Sequence, residues 1–223
     1  MKYYAIIVAG GSGSRMGTPT PKQFLPLDGL PVLMHTIRAF HQSSLQPEII
    51  LVLNQSFNSL WTELCTGHSF DIPHKIIPGG SQRFDSVKNA LAQISDESVT
   101  AVHDAVRPVI SDDLITRCFR HAEEHGTAIP VVGSRDSLRR KVDNSTVALN
   151  RDEILIVQTP QVFKSGMLKT AYRQNFSSEF TDDASVVEKA GFNISTVEGD
   201  LRNIKITFQE DLQVASLFLK SGT

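Results

Sequence analysis

The stretch Tyr4-Ala5-Ile6-Ile7-Val8-Ala9-Gly10-Gly11-Ser12-Gly13-Ser14-Arg15-Met16-Gly17 decides the reading of this chain. Tyr4–Val8 is a short, unbroken apolar run with β-branched residues, the pattern of a strand buried on both faces. Glycines that follow a first parallel strand let backbone N–H groups approach and cradle phosphate oxygens. Two familiar phosphate loops are excluded by single residues. A dinucleotide fingerprint needs a third glycine where Met16 stands, and a ribose-holding acid where the second strand ends in Asn54. A Walker loop needs Gly-Lys-Ser/Thr, which is absent. What sets this loop apart is a pair of cations, Arg15 and Lys22, in one Gly/Pro-rich segment. Two positive side chains held there would neutralise a triphosphate and the charge that builds at a phosphorus under attack.

Outward from that loop, strand and helix patterns alternate. Strands are predicted at Glu48–Leu53, Lys75–Pro78, Val99–His103 and Ala128–Val132. Helices are predicted near Pro31–His41, near Asn58–Gly67, on the stripe Phe84, Val87, Ala90, Leu91, Ile94, and on Leu114, Ile115, Cys118, Phe119, Ala122. Such alternation implies right-handed βαβ crossovers, hence an α/β fold with a Rossmann-like, mostly parallel sheet and helices on both faces. From Gly133 to Gln158 the pattern breaks into charged, β-like sequence around an Asp143-Asn144 turn, read as an inserted β-hairpin arm. After Pro160 come helices near Met167–Arg173 and Asp183–Ala190, strands near Ile194–Glu198 and Asn203–Ile206, and a last helix over Gln209–Leu219. No repeat or low-complexity linker interrupts residues 1–223, so a single domain with an embedded arm is expected.

Composition narrows the function classes. The 22 Lys and Arg against 24 Asp and Glu leave a net charge of −2, a poor basis for sequence-independent nucleic-acid binding. Apolar runs are too short for a membrane span, and the first residues read as strand rather than as a cleavable signal. Two cysteines, Cys65 and Cys118, make neither a disulfide framework nor a Cys-rich metal site. A reduced, cytoplasmic protein is expected.

The glycine loop resembles the signature of nucleotidyltransferases acting on sugar and polyol phosphates, in particular the methylerythritol-phosphate cytidylyltransferases. The similarity continues through Gly79-Gly80-Ser81-Gln82-Arg83-Phe84-Asp85-Ser86-Val87, His103-Asp104-Ala105-Val106-Arg107-Pro108, Gln158-Thr159-Pro160-Gln161, Thr181-Asp182-Asp183-Ala184-Ser185 and Asn203-Ile204-Lys205-Ile206-Thr207. Six ordered blocks span nearly the whole chain. The resemblance implies transfer of CMP from CTP to 2-C-methyl-D-erythritol 4-phosphate with release of pyrophosphate, aided by Mg²⁺ bound through the triphosphate. It implies that Arg15 and Lys22 stabilise the pentacoordinate α-phosphate. Ala9, Gly10, Gly11, Ser12, Gly13, Gly80, Ser81 and Ser86 would line the cytidine pocket, with Asp104 beside the nucleotide. Arg151 and Lys205 would position the attacking phosphate, with Arg107, Ser137 and Thr181 near it. It further implies a homodimer in which the arm carries Ser137 and Arg151 to the neighbouring site. The sister enzymes that use ribitol 5-phosphate are the alternative; the Thr181–Ser185 block and the Asn150-Arg151 arm favour methylerythritol phosphate.

Several residues carry a plainer reading beside the functional one. Asp104 lies just past the fourth main strand, at the edge where open α/β sheets bind ligands. It either sits near a metal–triphosphate cluster or holds a lysine in place. Thr181-Asp182-Asp183 before a helix reads more simply as an N-cap with acids favoured by the helix dipole than as metal ligands. Lys205 alternates with Ile204 and Ile206, so it points away from the core. His121-Ala122-Glu123-Glu124-His125 fits an inverted zinc-protease pattern, but it lies on a covering helix with no third ligand in prospect, and a polar helix end is the better reading.

Overall fold

The computed structural model describes residues 1–10 and 20–221. In chain order the elements are β1 (Lys2–Ala9), a 3₁₀ turn (Lys22–Phe24), β2 (Pro26–Leu27), β3 (Leu30–Pro31), α1 (Val32–Gln42), β4 (Glu48–Leu53), α2 (Asn58–Gly67) and β5 (Lys75–Pro78). There follow α3 (Arg83–Leu91), β6 (Ser98–Asp104), α4 (Asp112–His125), β7 (Thr127–Gly133), β8 (Leu138–Val142), β9 (Ser145–Leu149), β10 (Leu155–Val157) and β11 (Gln161–Lys164). The chain ends with α5 (Ser165–Ala171), α6 (Asp183–Lys189), β12 (Thr196–Glu198) and α7 (Glu210–Lys220).

β1 lies inside the sheet, parallel to β4 on one side and β6 on the other, and β4 is parallel to β5. The alternating side chains of β1 divide the core. Ala5, Ile7 and Ala9 face a layer with Leu33, Ile37, Phe40, Trp61, Leu114 and Phe119, from α1, α2 and α4. Tyr4 and Ile6 face the opposite layer, with Phe84, Val87, Leu168 and Val187 from α3, α5 and α6. Helices thus cover both faces, as the unbroken apolar run of β1 requires. Local chemistry sets the helix ends: the Ser111 hydroxyl accepts from Leu114 N at 3.3 Å to open α4, and Gly126 at φ 95° closes it.

Three features depart from the sequence reading. A strand unforeseen in the sequence, β11, runs antiparallel between β6 and β7, so these two do not pair directly. At four residues it is too short to show a period. The strand expected near Asn203–Ile206 is irregular chain. Its alternation is real, with Ile206 buried and Lys205 exposed, but Ile206 N donates to Val106 O without a ladder forming. The arm segment holds the expected hairpin, β8 with β9 around Asp143-Asn144, yet its C-terminal part, β10, returns to pair antiparallel with β7. A small hairpin, β2–β3, turns at Asp28-Gly29 with φ of 46° and 85°; both positive angles suit an Asp-Gly turn.

Candidate active site

The strand registers bring several ends level at one edge. Val8 sits opposite Asp104, Ala9 opposite Leu53, and Leu53 opposite Pro78. The carboxyl ends of four parallel strands therefore open on one crevice, the usual ligand site of an open α/β sheet.

One half of the crevice is a glycine cradle. Gly10, Asn54, Gln55, Gly79 and Gly80 line a cavity there. Gly79 N donates to Leu53 O at 2.9 Å, and Gly80 N to the buried Ser86 hydroxyl at 3.0 Å. Ser86 Oγ in turn donates to Gln82 O at 3.0 Å, fastening the turn to α3. A Cβ on Gly80 would lie 2.2 Å from Asp85 Cβ, so only glycine fits. Ser81 turns its hydroxyl onto Asp85 Oδ2 at 2.6 Å, and the same oxygen accepts from Gln82 N, which caps α3. The cradle residues Gly11, Ser12 and Gly13, and the cation Arg15, lie outside the described residues.

The other half is a cluster of charge around Asp104. Lys205 Nζ lies 2.9 Å from Asp104 Oδ2 and Arg107 Nε 3.5 Å from it. Burial alone would push this carboxyl up, but the fields of Arg83, Lys205 and Arg107 outweigh it and hold the group far below the usual range. The Lys205 ion pair is the lysine contact that one of the two sequence readings of Asp104 expects. Lys22 reaches the Lys205 segment from the glycine loop: its Nζ donates to the backbone carbonyl of Ile206, the next residue in the chain, at 2.9 Å. Gln23, buried, donates to Ala9 O at 2.9 Å and pins this end of the loop to β1. Phe24 packs edge-on against Phe57, anchoring the same turn in the core. Arg107 is nearly buried and gives Nη1 to Asn203 O at 2.7 Å.

Beneath Asp104 lies a polar relay that no local signal in the sequence announces. His103 is fully buried; its Nε2 meets Arg107 O and its Nδ1 meets Thr159 Oγ1, each at 3.1 Å. Thr159 Oγ1 also accepts from Asp104 N at 3.1 Å. The set is consistent with one tautomer, with Nε2–H donating to the carbonyl and the Thr159 hydroxyl donating to Nδ1. Burial pushes the imidazole down to about 4, so it is neutral. Asn203 Nδ2 donates to Thr159 O at 2.8 Å, which ties the Lys205 segment to the same relay.

Thr181 is exposed at the N-terminus of α6. Asp182 is the expected N-cap, accepting from Ser185 N at 2.8 Å. Asp183 stands in the first turn of α6, where the N-cap reading put an acid favoured by the helix dipole, but it is also fully buried and forked by Arg83, which that reading did not foresee. Ser137 and Arg151 are exposed on the arm, where Arg151 Nη1 donates to Arg135 O and its Nε lies 3.9 Å from Asp152. The Arg151 contacts keep that side chain with the arm rather than with Lys22 and Lys205. The His121 and His125 rings lie close, with centroids 4.3 Å apart and planes tilted by 46°, but no group of three or more potential metal ligands occurs among the described residues.

A family model described as 2-C-methyl-D-erythritol 4-phosphate cytidylyltransferase matches residues 3–221. Proteins of that name from Bacteroides fragilis and Bacteroides thetaiotaomicron are 48% and 47% identical to this chain, covering 96% and 98% of it and 98% and 100% of their own lengths. Among solved structures, the Francisella tularensis protein of that name superposes with a TM-score of 0.81 at 31% identity, over 98% of this chain and all of its own. The 4-diphosphocytidyl-2C-methyl-D-erythritol synthase of Anaerococcus prevotii gives 0.83 at 25% identity, over 98% of this chain and 96% of its own. With the glycine cradle, the cation cluster and a match over nearly its full length, the chain belongs to the 2-C-methyl-D-erythritol 4-phosphate cytidylyltransferase family of nucleotidyltransferases.

Proposed function

We propose that this chain transfers CMP from CTP to 2-C-methyl-D-erythritol 4-phosphate, with release of pyrophosphate, using the residues gathered at the carboxyl edge of the sheet. One observation carries the assignment of roles. Lys22, from the loop after β1, donates to the backbone carbonyl of Ile206, the chain neighbour of Lys205, while Lys205, from the far end of the chain, pairs with Asp104 at the sheet edge that also carries the glycine cradle. A nucleoside triphosphate and a polyol phosphate are both polyanions, and a site of this kind neutralises the two together. The family relatives carry the methylerythritol name, and the ribitol 5-phosphate reading gains no support from them.

The acceptor phosphate is already a competent nucleophile, so the protein needs no covalent intermediate and catalysis is positioning plus charge neutralisation. Ala9 to Gly13, Gly80, Ser81 and Ser86 hold the cytidine, largely through backbone groups. Arg15 and Lys22 meet the α-phosphate, where charge grows as the in-line attack proceeds. Lys205, oriented by Asp104, holds the acceptor phosphate, with Arg107 and Thr181 alongside. Mg²⁺ travels with the triphosphate: Asp104 is occupied by Lys205 and Arg107, and magnesium commonly keeps its waters and binds through substrate phosphates. When bound, the ion supplies neutralisation of the triphosphate. Ser137 and Arg151 complete the site of a second subunit in a homodimer. The exposed apolar residues Val142 and Val147 on the hairpin, with Leu155, Ile156 and Val157 on β10, support this, because an isolated two-stranded ribbon is marginal in water. The proposed setting is the cytoplasm; among the described residues no helix is long and apolar enough to cross a membrane.

The test is pyrophosphate release from CTP with each acceptor in turn. Turnover with methylerythritol phosphate at least about a hundredfold above ribitol 5-phosphate, the scale of a lost polar contact set, is expected. Equal turnover, or turnover with neither, would overturn the assignment.

A further inference from the structure

Thr181 lies in a segment held on both sides by the first turn of α3. On its N-terminal side the Phe180 ring stacks on Phe84, with centroids 5.7 Å apart and planes at 19°. On its C-terminal side Asp183 receives Arg83 Nη1 at 2.9 Å and Nη2 at 2.6 Å. The Tyr172 hydroxyl also donates to Asp183, at 2.6 Å, and its ring stacks on Phe84 at 4.7 Å. A carboxylate with no exposed surface is costly to bury without partners of this kind, and a bidentate fork fixes orientation as well as distance.

We infer that Arg83 is a positioning residue for the transfer reaction: through its fork on Asp183 it sets the N-terminus of α6 against α3, and so places Thr181 for the acceptor phosphate. The inference rests on the cytidylyl-transfer reading above. Two observations set Arg83 apart from a residue that merely glues two helices. A third of its side chain, 33%, stays exposed although its partner carboxylate is sealed. Its charge also acts on Asp104, the carboxylate that holds Lys205, so one guanidinium is felt at both acceptor contacts. The nucleotide half of the crevice is fastened separately, by Gly80 N on Ser86 Oγ and by the Asp85 cap, and neither uses the Arg83 guanidinium. Loss of the fork should therefore divide the two substrates.

Arg83→Lys keeps the charge and cannot fork. Steady-state pyrophosphate release is measured with each substrate varied in turn. The expected result is a KM for methylerythritol phosphate raised about tenfold, with the KM for CTP within about twofold of wild type. Tyr172→Phe removes one donor to Asp183 and leaves the fork, so it should raise the acceptor KM only about two- to threefold. Hydrogen exchange on the substrate-free protein adds a readout that needs no activity: the Ala184 and Ser185 amides lose protection in Arg83→Lys while Gly80 and Ser86 keep theirs. Equal rises in both KM values, or a lowered Tm with both KM values unchanged, overturn the inference. If Arg83→Lys does not fold, Tyr172→Phe decides on the same split. A wild type that does not turn over methylerythritol phosphate would sink the functional reading instead, and the exchange pattern would still decide whether the fork sets the helix register.

Discussion

Replacing Asp104 with asparagine tests the centre of the charge cluster. The amide keeps the shape of the carboxylate and one acceptor oxygen, but removes the negative charge that faces Lys205 at 2.9 Å and Arg107 at 3.5 Å. Taking one partner from a fully buried pair costs about 3–5 kcal/mol. Here Asp104 is only 13% exposed while Lys205 is 43% exposed, so the lysine can rehydrate and the amide still accepts one hydrogen bond. The expected loss is about 2 kcal/mol, and a Tm lower by about 4–8 °C for a chain of this length. Urea unfolding followed by the fluorescence of Trp61, the sole tryptophan and one that is buried, measures the stability directly. Combining Asp104→Asn with Lys205→Met closes a double-mutant cycle, in which the two changes should fall short of additivity by about 1–2 kcal/mol. Kinetically, an unanchored Lys205 raises the KM for methylerythritol phosphate more than that for CTP. Additive stabilities together with an unchanged acceptor KM would refute the lysine-holding role. A shift in the Mg²⁺ concentration dependence with acceptor KM intact would mean that Asp104 serves the metal after all.

Lys22→Ala should lower kcat by about 2–4 kcal/mol in barrier with little change in either KM, since its contact strengthens as phosphoryl charge develops; a raised KM at unchanged kcat counts against it. Gly80→Ala drives a Cβ to 2.2 Å from Asp85 Cβ, so the turn must shift, and stability and CTP binding should each suffer by about 1–3 kcal/mol, read from urea unfolding and the KM for CTP. His103 is held down to about 4 by burial, whereas the unfolded chain protonates it near its ordinary 6.5. Its contribution is complete above pH 6.5 and is lost as pH falls towards 4, by about 3 kcal/mol in all; His103→Gln should flatten that part of the stability profile, and an unchanged slope would contradict the assignment. Mixing Lys22→Ala with Arg151→Ala, refolded together, should restore about a quarter of wild-type activity if the arm works in trans, since half of the dimers then hold one intact site. No recovery, with refolded wild type active, would mean that the arm acts in cis.

How far the sequence could be read follows from which interactions are local. Glu48–Leu53, Asn58–Gly67 and Lys75–Pro78 appear in the fold with the bounds their patterns predict, because each carries a period and a stop within its own residues. Gln161–Lys164 escaped because its place between β6 and β7 is decided by partners far away in the chain. Asn203–Ile206 misled for the complementary reason: side-chain alternation predicted which residues are buried, but the backbone has no strand to pair with. The site divides along the same line. The Gly79-Gly80 turn and the Asp182 cap are local devices, legible from a few neighbours. Asp104 could be placed at the correct edge, yet its partner could not be named, because Lys205 reaches it from the end of the chain. Asp183 shows the limit most sharply. Beside Asp182 the two acids look alike, and helix-dipole chemistry accounts for either. Only the fold turns one to cap the helix at the surface and seals the other beneath Arg83 and Tyr172. Of two adjacent aspartates, the one that local rules explain best is an ordinary cap, and the one they explain least ties α6 to α3 through Arg83.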